Sequence, residues 1–444
     1  MARTAPLSGF PEWLPEERIV EQYVLDTLRQ VYELHGFSSL ETRAVEPLDQ
    51  LLRKGEIDKE VYLLRRMQAE EGEGDKGLGL HFDLTVPFAR YVLERAGHLE
   101  FPFRRYQIQK VWRGERPQEG RYREFTQADI DVVDRDELAF HHEVDLPLVV
   151  LEAFAALPFP DATMHVNNRK LAEGFYRGVG ADDTALVLRA VDKLDKVGPE
   201  KVRAQLLELG LTDAASAACL SLAGITTPDA SFAERVQALG VTDPLLDEGL
   251  EELVRVIEAA HAVAPGRLVA DLKIARGLDY YTGTVYETLL HGHEDLGSVC
   301  SGGRYDALAS DGKTSYPGVG VSIGVSRILG RLLKTGAVRA SRSVPAAVLV
   351  AVNDEANRTA SNQVAASLRA RGVPTEVAPS AAKFGKQIKH ADRRGIPYVW
   401  FLSDGGHSVK DLRTGDQVAA DPAAWSPPAQ DLRPTITRHE ENPQ

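Results

Sequence analysis

Cysteine is nearly absent: 444 residues contain only Cys219 and Cys300. Two cysteines cannot form a disulfide framework, and with no C-x-x-C pair there is no thiolate zinc site. A reducing, cytoplasmic compartment is the expectation. No apolar run approaches the roughly 18 residues that a membrane span needs, so no membrane role is expected. The opening stretch MARTAPLSGFPEWLPEER lacks the apolar core of a secretory signal. Positive charge is in deficit as well. Lys+Arg number 52 against 65 Asp+Glu, a net charge of −13, which argues against a protein that coats nucleic acid indiscriminately. Hydrophobic residues at 43% and charged residues at 26% are otherwise ordinary for a globular chain of two or three domains.

The scarce basic residues are concentrated. Between Arg104 and Glu124 there are seven, against three acidic residues, and Lys383–Arg413 repeats that ratio. Such patches are either solvated faces or two grips on one polyanion.

Periodicity predicts a helix over Glu17–His35, stopped by Gly36, and then a short strand ending at Pro47. EEGEGDKG (70–77) reads as a loop tip. Alternation over Tyr106–Arg113 and Thr126–Val132, joined by the polar Gly114–Glu124, predicts a long-looped hairpin and hence an antiparallel sheet. From 162 to 262 Ala, Leu and Glu dominate, as in LLDEGLEELVRVIEAAHAV, which predicts a helical insertion. Strand signals return from 267 to 331. Residues 332–343 read as a linker, and 344–424 as a β-α-β-α-β unit with a parallel sheet. The Pro-rich, charged tail from Trp425 to Gln444 is expected to be disordered.

Three constellations point to chemistry. On the hairpin, period two places Gln107, Gln109 and Arg113 on one face of the first strand and Gln127, Asp129 and Asp131 on one face of the second. Such a face is plain surface or the floor of a polar pocket. There an arginine fork suits phosphate, and a carboxylate such as Asp131 suits an ammonium or an imidazole N–H. In ARGLDYYTGTVYE (275–287) Tyr280 and Tyr281 are expected to point to opposite faces, one packed and one lining a cavity. SGGRYD (301–306) offers close backbone approach beside a further cation, Arg304. GVGVSIGVSRILGRLL (318–333) runs a glycine-rich strand into a helix carrying Arg327 and matches neither common nucleotide fingerprint.

VWRGERPQEGRYREFTQADID (111–131), RGLDYYTGTVYE (276–287), SGGRYD and GVSIGVSRI resemble the signature blocks of histidyl-tRNA synthetases, which are class II aminoacyl-tRNA synthetases. HFDLTVPFARYV (81–92) and VNNRKLAEGF (166–175) match further blocks in the same order. The resemblance covers nearly the whole chain. It implies an α/β, more narrowly α+β, architecture. Residues 1–331 would form a class II catalytic domain on an antiparallel sheet flanked by helices, with the helical insertion 162–262 inside it, and 344–424 an α/β anticodon-binding domain.

The same resemblance implies roles by position. Arg276 is the catalytic arginine. Arg113 grips the α-phosphate of ATP, Glu115 belongs to the same motif, Phe125 stacks on adenine, and Arg327 lies near the β- and γ-phosphates. Asp83, Thr85, Gln127, Asp131, Tyr280 and Tyr281 form the pocket for substrate histidine. The implied partners are L-histidine, ATP with Mg2+, and histidine tRNA, whose acceptor stem would meet Arg116, Gln118, Arg121 and Arg123. No metal ligand among the side chains is implied. Pro47 ends the dimer-interface motif, which implies a homodimer. His81 stands where the family pattern leads one to expect arginine. The alternative is a non-catalytic, histidine-sensing regulatory paralogue of ATP phosphoribosyltransferase. Such paralogues lack the anticodon domain and the ATP-site arginines, whereas Arg113, Arg276, Arg327 and residues 344–420 are present here.

Overall fold

The structure is a computed structural model that describes residues 5–52, 60–66, 77–275, 280–310, 312–403 and 406–439. The chain divides into two compact units, Met1–Pro11 with Leu25–Arg331, and Glu12–Val24 with Leu332–Gln444.

The first unit is built on a nine-stranded sheet. Its strands run, in spatial order, Ser38–Ser39, Phe103–Trp112, Glu124–Val133, Gly318–Gly324, Cys300–Tyr305, Thr284–Leu290, Ala162–Asn168, Leu268–Asp271 and Thr226–Thr227. Neighbours are antiparallel except at Ser38–Ser39 against Phe103–Trp112 and Ala162–Asn168 against Leu268–Asp271. The expected hairpin is the long central pair, ending at Trp112 and resuming at Glu124. Its register sets Arg105 opposite Asp131, Gln107 opposite Asp129 and Gln109 opposite Gln127. Side-chain alternation therefore puts all six on one face. The other face is apolar, carrying Tyr106 opposite Ile130 and Ile130 opposite Val321. Against it lies the half of the helix Pro15–Leu34 that belongs to this unit, with Leu28, Val31 and Tyr32 buried and the Tyr106 hydroxyl donating to Glu33 at 2.7 Å.

The insertion starts later than its composition suggests. Ala162–Asn168 is a sheet strand, with Ala162, Met164 and Val166 buried in alternation. Helix begins at Arg169, where the Asn168 side chain accepts from the Lys170 and Leu171 amides. Helices then follow as far as Val263, interrupted by the short strand Thr226–Thr227. Two of them, Arg169–Gly178 and Pro244–Val263, touch through glycines. A Cβ on Gly249 would lie 2.1 Å from the Leu171 nitrogen, and one on Gly174 would lie 2.2 Å from the Leu246 nitrogen. Backbone cannot yield as a side chain does, so Gly249→Ala should destabilise this unit by on the order of 3 kcal/mol, the upper end for overpacking. An unchanged midpoint in urea unfolding would contradict this contact.

The second unit holds a five-stranded sheet in the order Thr375–Val377, Val348–Val350, Tyr398–Ser403, Gly406–Asp411 and Gln417–Ala419. Only the first three strands are parallel, and the last two add antiparallel, so the expected wholly parallel sheet is a mixed one. Both faces are buried. Val348, Val350 and Trp400 meet Val364 and Leu368 on one side, and Leu349 and Val399 meet Ala391 and Ile396 on the other.

Two further expectations fail here. Within 332–343, the helix Val325–Thr335 runs on to Thr335, and Val338–Ala340 pairs with Ile436–Arg438. The tail is folded as far as 439. The Trp425 ring lies 5.3 Å from that of Tyr398 and 5.5 Å from that of Trp400, and Asp431 accepts from the Tyr398 hydroxyl at 2.7 Å and from Arg413. One aromatic and one carboxylate anchor a segment whose composition reads as unstructured. Most of the predicted loop tip 70–77 lies outside the described residues.

Candidate active site

The polar sheet face and the long hairpin loop enclose a cavity of ≈ 220 Å³. Arg113, Glu115, Phe125 and Arg327 all line it, with Gln127, Ser301 and Ser322. The four residues assigned to ATP by resemblance are thus brought together by strands and a helix distant in sequence. Arg113 follows directly on the strand Phe103–Trp112, and its amide is held by the Arg123 carbonyl at 2.9 Å. Its guanidinium donates through Nε to the Phe82 carbonyl at 3.1 Å and lies 5.1 Å from the Phe125 ring centroid, with Glu115 at 3.9 Å. Arg327, in the first turn of the helix Val325–Thr335, donates to the Leu296 carbonyl.

The hairpin loop is folded onto that helix. The Tyr122 hydroxyl sits where a Cβ on Gly330 would be, 2.0 Å away. Glu119 pairs with Arg331 at 3.0 Å, and the Thr126 amide donates to Ser326 Oγ at 2.9 Å. Arg116, Gln118 and Arg121 remain exposed, Arg121 reaching Glu115 at 3.2 Å. Arg123 is tied inward instead, donating to the Glu115 carbonyl at 3.2 Å, with its amide on Gly9.

Of the residues assigned to histidine, Gln127 lines this cavity and the other five do not. Asp131 is 2% exposed and nested among partners: Arg105 Nη2 at 2.6 Å from Oδ2, and the Tyr305 hydroxyl donating to Oδ1 at 2.8 Å. The cross-strand neighbour is necessarily glycine, because a Cβ on Gly320 would lie 2.0 Å from Asp131 Oδ1. Gly303 similarly leaves room for Tyr281, whose Cδ1 would be 2.9 Å from an added Cβ. Tyr280 and Tyr281 do not point to opposite faces. Their ring centroids are 4.2 Å apart, because the pair precedes the strand Thr284–Leu290 and strand alternation does not govern it. Burial pushes the Tyr281 phenol well above its ordinary range, so it is a neutral hydroxyl. Asp83 Oδ1 accepts from the Val86 amide at 3.1 Å, which ties it to the first turn of the helix that begins at Thr85. Arg276 lies outside the described residues.

Sequence reasoning missed several contributors. Arg105, wholly buried, is the countercharge to Asp131 and lies 4.3 Å above the Phe88 ring. Cross-strand register was the available signal. Asp129 is 2% exposed, and its carboxyl is pushed up to about 7, chiefly by burial, with Arg105 opposing and Asp131 and Asp83 adding. Arg304 is not a free cation, since it pairs with Glu143 at 2.8 Å and Asp306 at 2.9 Å. His81 is fully buried, stacked on Trp112, with Nε2 2.7 Å from the Lys110 carbonyl. Burial lowers its pKa, so the ring is neutral and acts as a structural donor. Among the described residues the one grouping of metal-ligand types, His141, His142 and Asp145, is not part of the cavity lining.

The sequence model of the family described as histidyl-tRNA synthetase matches residues 9–328, and that described as anticodon binding domain matches 346–421. A protein of Cutibacterium acnes named histidine–tRNA ligase is 61% identical, over 98% of this chain and 99% of its own length. One of the same name from Micrococcus luteus is 62% identical over 99% of each. The crystal structure of histidyl-tRNA synthetase from Nostoc sp. PCC 7120 superposes with a TM-score of 0.85 at 35% identity, covering 95% of this chain and 97% of that one.

Proposed function

The chain belongs to the histidyl-tRNA synthetase family, and we propose that its sheet-floored cavity holds ATP against the histidine to be activated. The reaction is ATP-dependent ligation of histidine to tRNA. The observation that carries the site assignment is the convergence of Arg113, Phe125 and Arg327 with Gln127 on one cavity.

In this reading Phe125 stacks on adenine, Arg113 grips the α-phosphate and Arg327 meets the β- and γ-phosphates. The histidine carboxylate attacks the α-phosphorus, the bond to the bridging oxygen breaks, and pyrophosphate leaves. Arg113 and Arg276 stabilise the charge on the non-bridging oxygens, so catalysis is positioning plus electrostatics. Histidine sits among Asp83, Thr85, Gln127, Asp131, Tyr280 and Tyr281. A site built to hydrogen-bond a polar side chain rejects analogues that lack the group. The histidyl group then passes to the 3′-terminal adenosine of tRNA, with release of AMP. Mg2+ takes carboxylate and phosphate oxygens. Glu115, the one carboxylate lining the cavity among the described residues, would hold it with the ATP phosphates, where it would offset their charge.

Residues 1–331 form the catalytic part, with the insertion inside it, and 344–424 the anticodon-binding part. Exposed Arg116, Gln118 and Arg121 meet the acceptor stem, with Arg123 behind them. A homodimer is supported by Leu64 and Leu78, cross-strand partners that are both exposed on the small sheet pairing Leu78–Leu80 with Leu63–Leu64 and with Val45–Pro47. Light scattering should give twice the 48.7 kDa of the chain. Cytoplasmic residence fits two buried free cysteines, and no helix among the described residues is long and apolar enough to cross a membrane.

The test is ATP–pyrophosphate exchange with each of the twenty amino acids. Exchange with histidine alone is expected. Histidine binding without exchange would favour the regulatory paralogue.

A further inference from the structure

We propose that His141, His142 and Asp145 bind a divalent transition-metal ion, of which Zn2+ fits best, at the start of the helix His141–Ala156. The site stands apart from the ATP cavity and does not depend on how that cavity is read. One ligand atom from each of the three residues lies within 4.8 Å of the other two.

His142 carries the argument. Its side chain belongs to a residue only 5% exposed, and Nδ1 is buried with no hydrogen-bond partner among the described residues. A buried ring nitrogen left unpaired is costly, and a ligand that engages the ring recovers the cost. Neighbouring residues on a helix ordinarily face apart, yet the rings of His141 and His142 have their centroids 4.0 Å apart. Asp145 follows His141 by four residues and so shares its helix face. Ligand atoms about 2.1 Å from a tetrahedral ion stand about 3.4 Å from one another. Closing the remaining gap, about 1.4 Å at most, falls to His141 and Asp145, which are both exposed.

Glu143 is not a further ligand. Its carboxylate accepts from the Thr284 amide at 3.1 Å, the Thr284 hydroxyl at 2.5 Å and Arg304 at 2.8 Å. Two imidazoles and one carboxylate thus leave a coordination position for water. Mixed nitrogen and oxygen ligands suit Zn2+, Ni2+ and Cu2+, whereas Mg2+ and Ca2+ take oxygen alone.

The helix has a use for the ion. Its N-cap residue, Phe140, makes no side-chain capping bond. Pro147 has no N–H to give the Glu143 carbonyl, which accepts from the Tyr286 hydroxyl at 2.5 Å instead. The opening turns therefore lack two internal restraints, and an ion joining residues 141 and 145 spans those same turns. A helix N-terminus repels cations, so the affinity rests on the ligands alone and a Kd in the micromolar range is expected.

The experiment uses the full-length chain, stripped with EDTA and dialysed free of it. Zn2+ is titrated by calorimetry and Co2+ by visible absorption, in wild type and in His141→Ala/Asp145→Asn. Wild type should take up one ion more per chain than the variant, with a Co2+ d–d band that the variant lacks. Zn2+ should raise the thermal midpoint of the wild type alone. Buried His142 is left in place, and both substitutions fall on exposed side chains, so the variant should keep the wild-type rate of ATP–pyrophosphate exchange in Mg2+. No uptake by the wild type, or equal uptake by both proteins, would overturn the site. Equal competition by Mg2+ would overturn it too, since that indicates oxygen ligands only. Loss of exchange in the variant would mean that these residues serve the fold of the catalytic part rather than a site of their own.

Discussion

Arg113→Ala is expected to slow histidine-dependent ATP–pyrophosphate exchange by about 10²–10³-fold, the size of effect seen when one donor to a developing oxyanion is removed. The expectation follows from how the side chain is held. Nε on the Phe82 carbonyl and the rings of Phe125 and Phe82, 5.1 and 5.7 Å away, fix the plane of the guanidinium. The nearest carboxylate, Glu115 at 3.9 Å, is beyond good hydrogen-bonding range. The side chain is 30% exposed and faces the cavity. An arginine oriented by neutral groups, whose nearest carboxylate pairs with it without a hydrogen bond, keeps its donor fork for an anion. Arg113→Lys preserves the charge but not the fork, so it should recover only a minor part of the rate. Histidine binding, measured by calorimetry without ATP, should be unchanged in both variants. Exchange near the wild-type rate in Arg113→Ala would refute the role proposed for it.

What could be read in advance, and what could not, divides along physical lines. The hairpin was legible because period two is local, so once Gln127, Asp129 and Asp131 share a face no distant contact can separate them. Their partners were harder. Asp131 reads as a group waiting for a substrate cation, yet Arg105 and Tyr305 already satisfy part of it. That pairing depends on the hairpin register and on a third strand, neither of which periodicity specifies. The strand Ala162–Asn168 was absorbed into the helical texture that follows it, because composition averages across a boundary that a single Asn168 cap defines. The folded tail was missed for the same reason. Trp425 and Asp431 fix it through Tyr398, on the strand Tyr398–Ser403, and Arg413, just past the strand Gly406–Asp411. The glycines of SGGRYD signalled close approach, and what approaches at Gly303 is the Tyr281 ring, whereas nothing in GVGVSIG foretold that the Asp131 carboxylate would lie against Gly320.

Arg105→Met should cost about 3–5 kcal/mol of folding stability, as expected when one partner of a buried ion pair is removed. Arg105 is completely buried, and its only carboxylate within ion-pairing distance among the described residues is Asp131, at 2.6 Å. Methionine fills similar space over the Phe88 ring, where the guanidinium now lies at 4.3 Å, so the loss is chiefly electrostatic. Without that cation Asp131 shares the buried face with Asp129, to which Asp83 adds a further buried carboxyl nearby. Neutralising Asp131 as well removes the uncompensated charge, so Arg105→Met/Asp131→Asn should regain most of the stability, following the rule that replacing both members of a buried pair is often neutral. Function should not return with it. An ionised carboxylate accepts at both oxygens, whereas the asparagine amide accepts at one only and carries no charge, and the proposed histidine pocket uses Asp131 as a charged acceptor. The double variant should therefore unfold in urea near the wild-type midpoint and yet show a KM for histidine raised at least tenfold. Recovery of both properties together would mean that Asp131 serves only the fold. Recovery of neither would mean that Arg105 holds the sheet face by packing on Phe88 rather than by its charge.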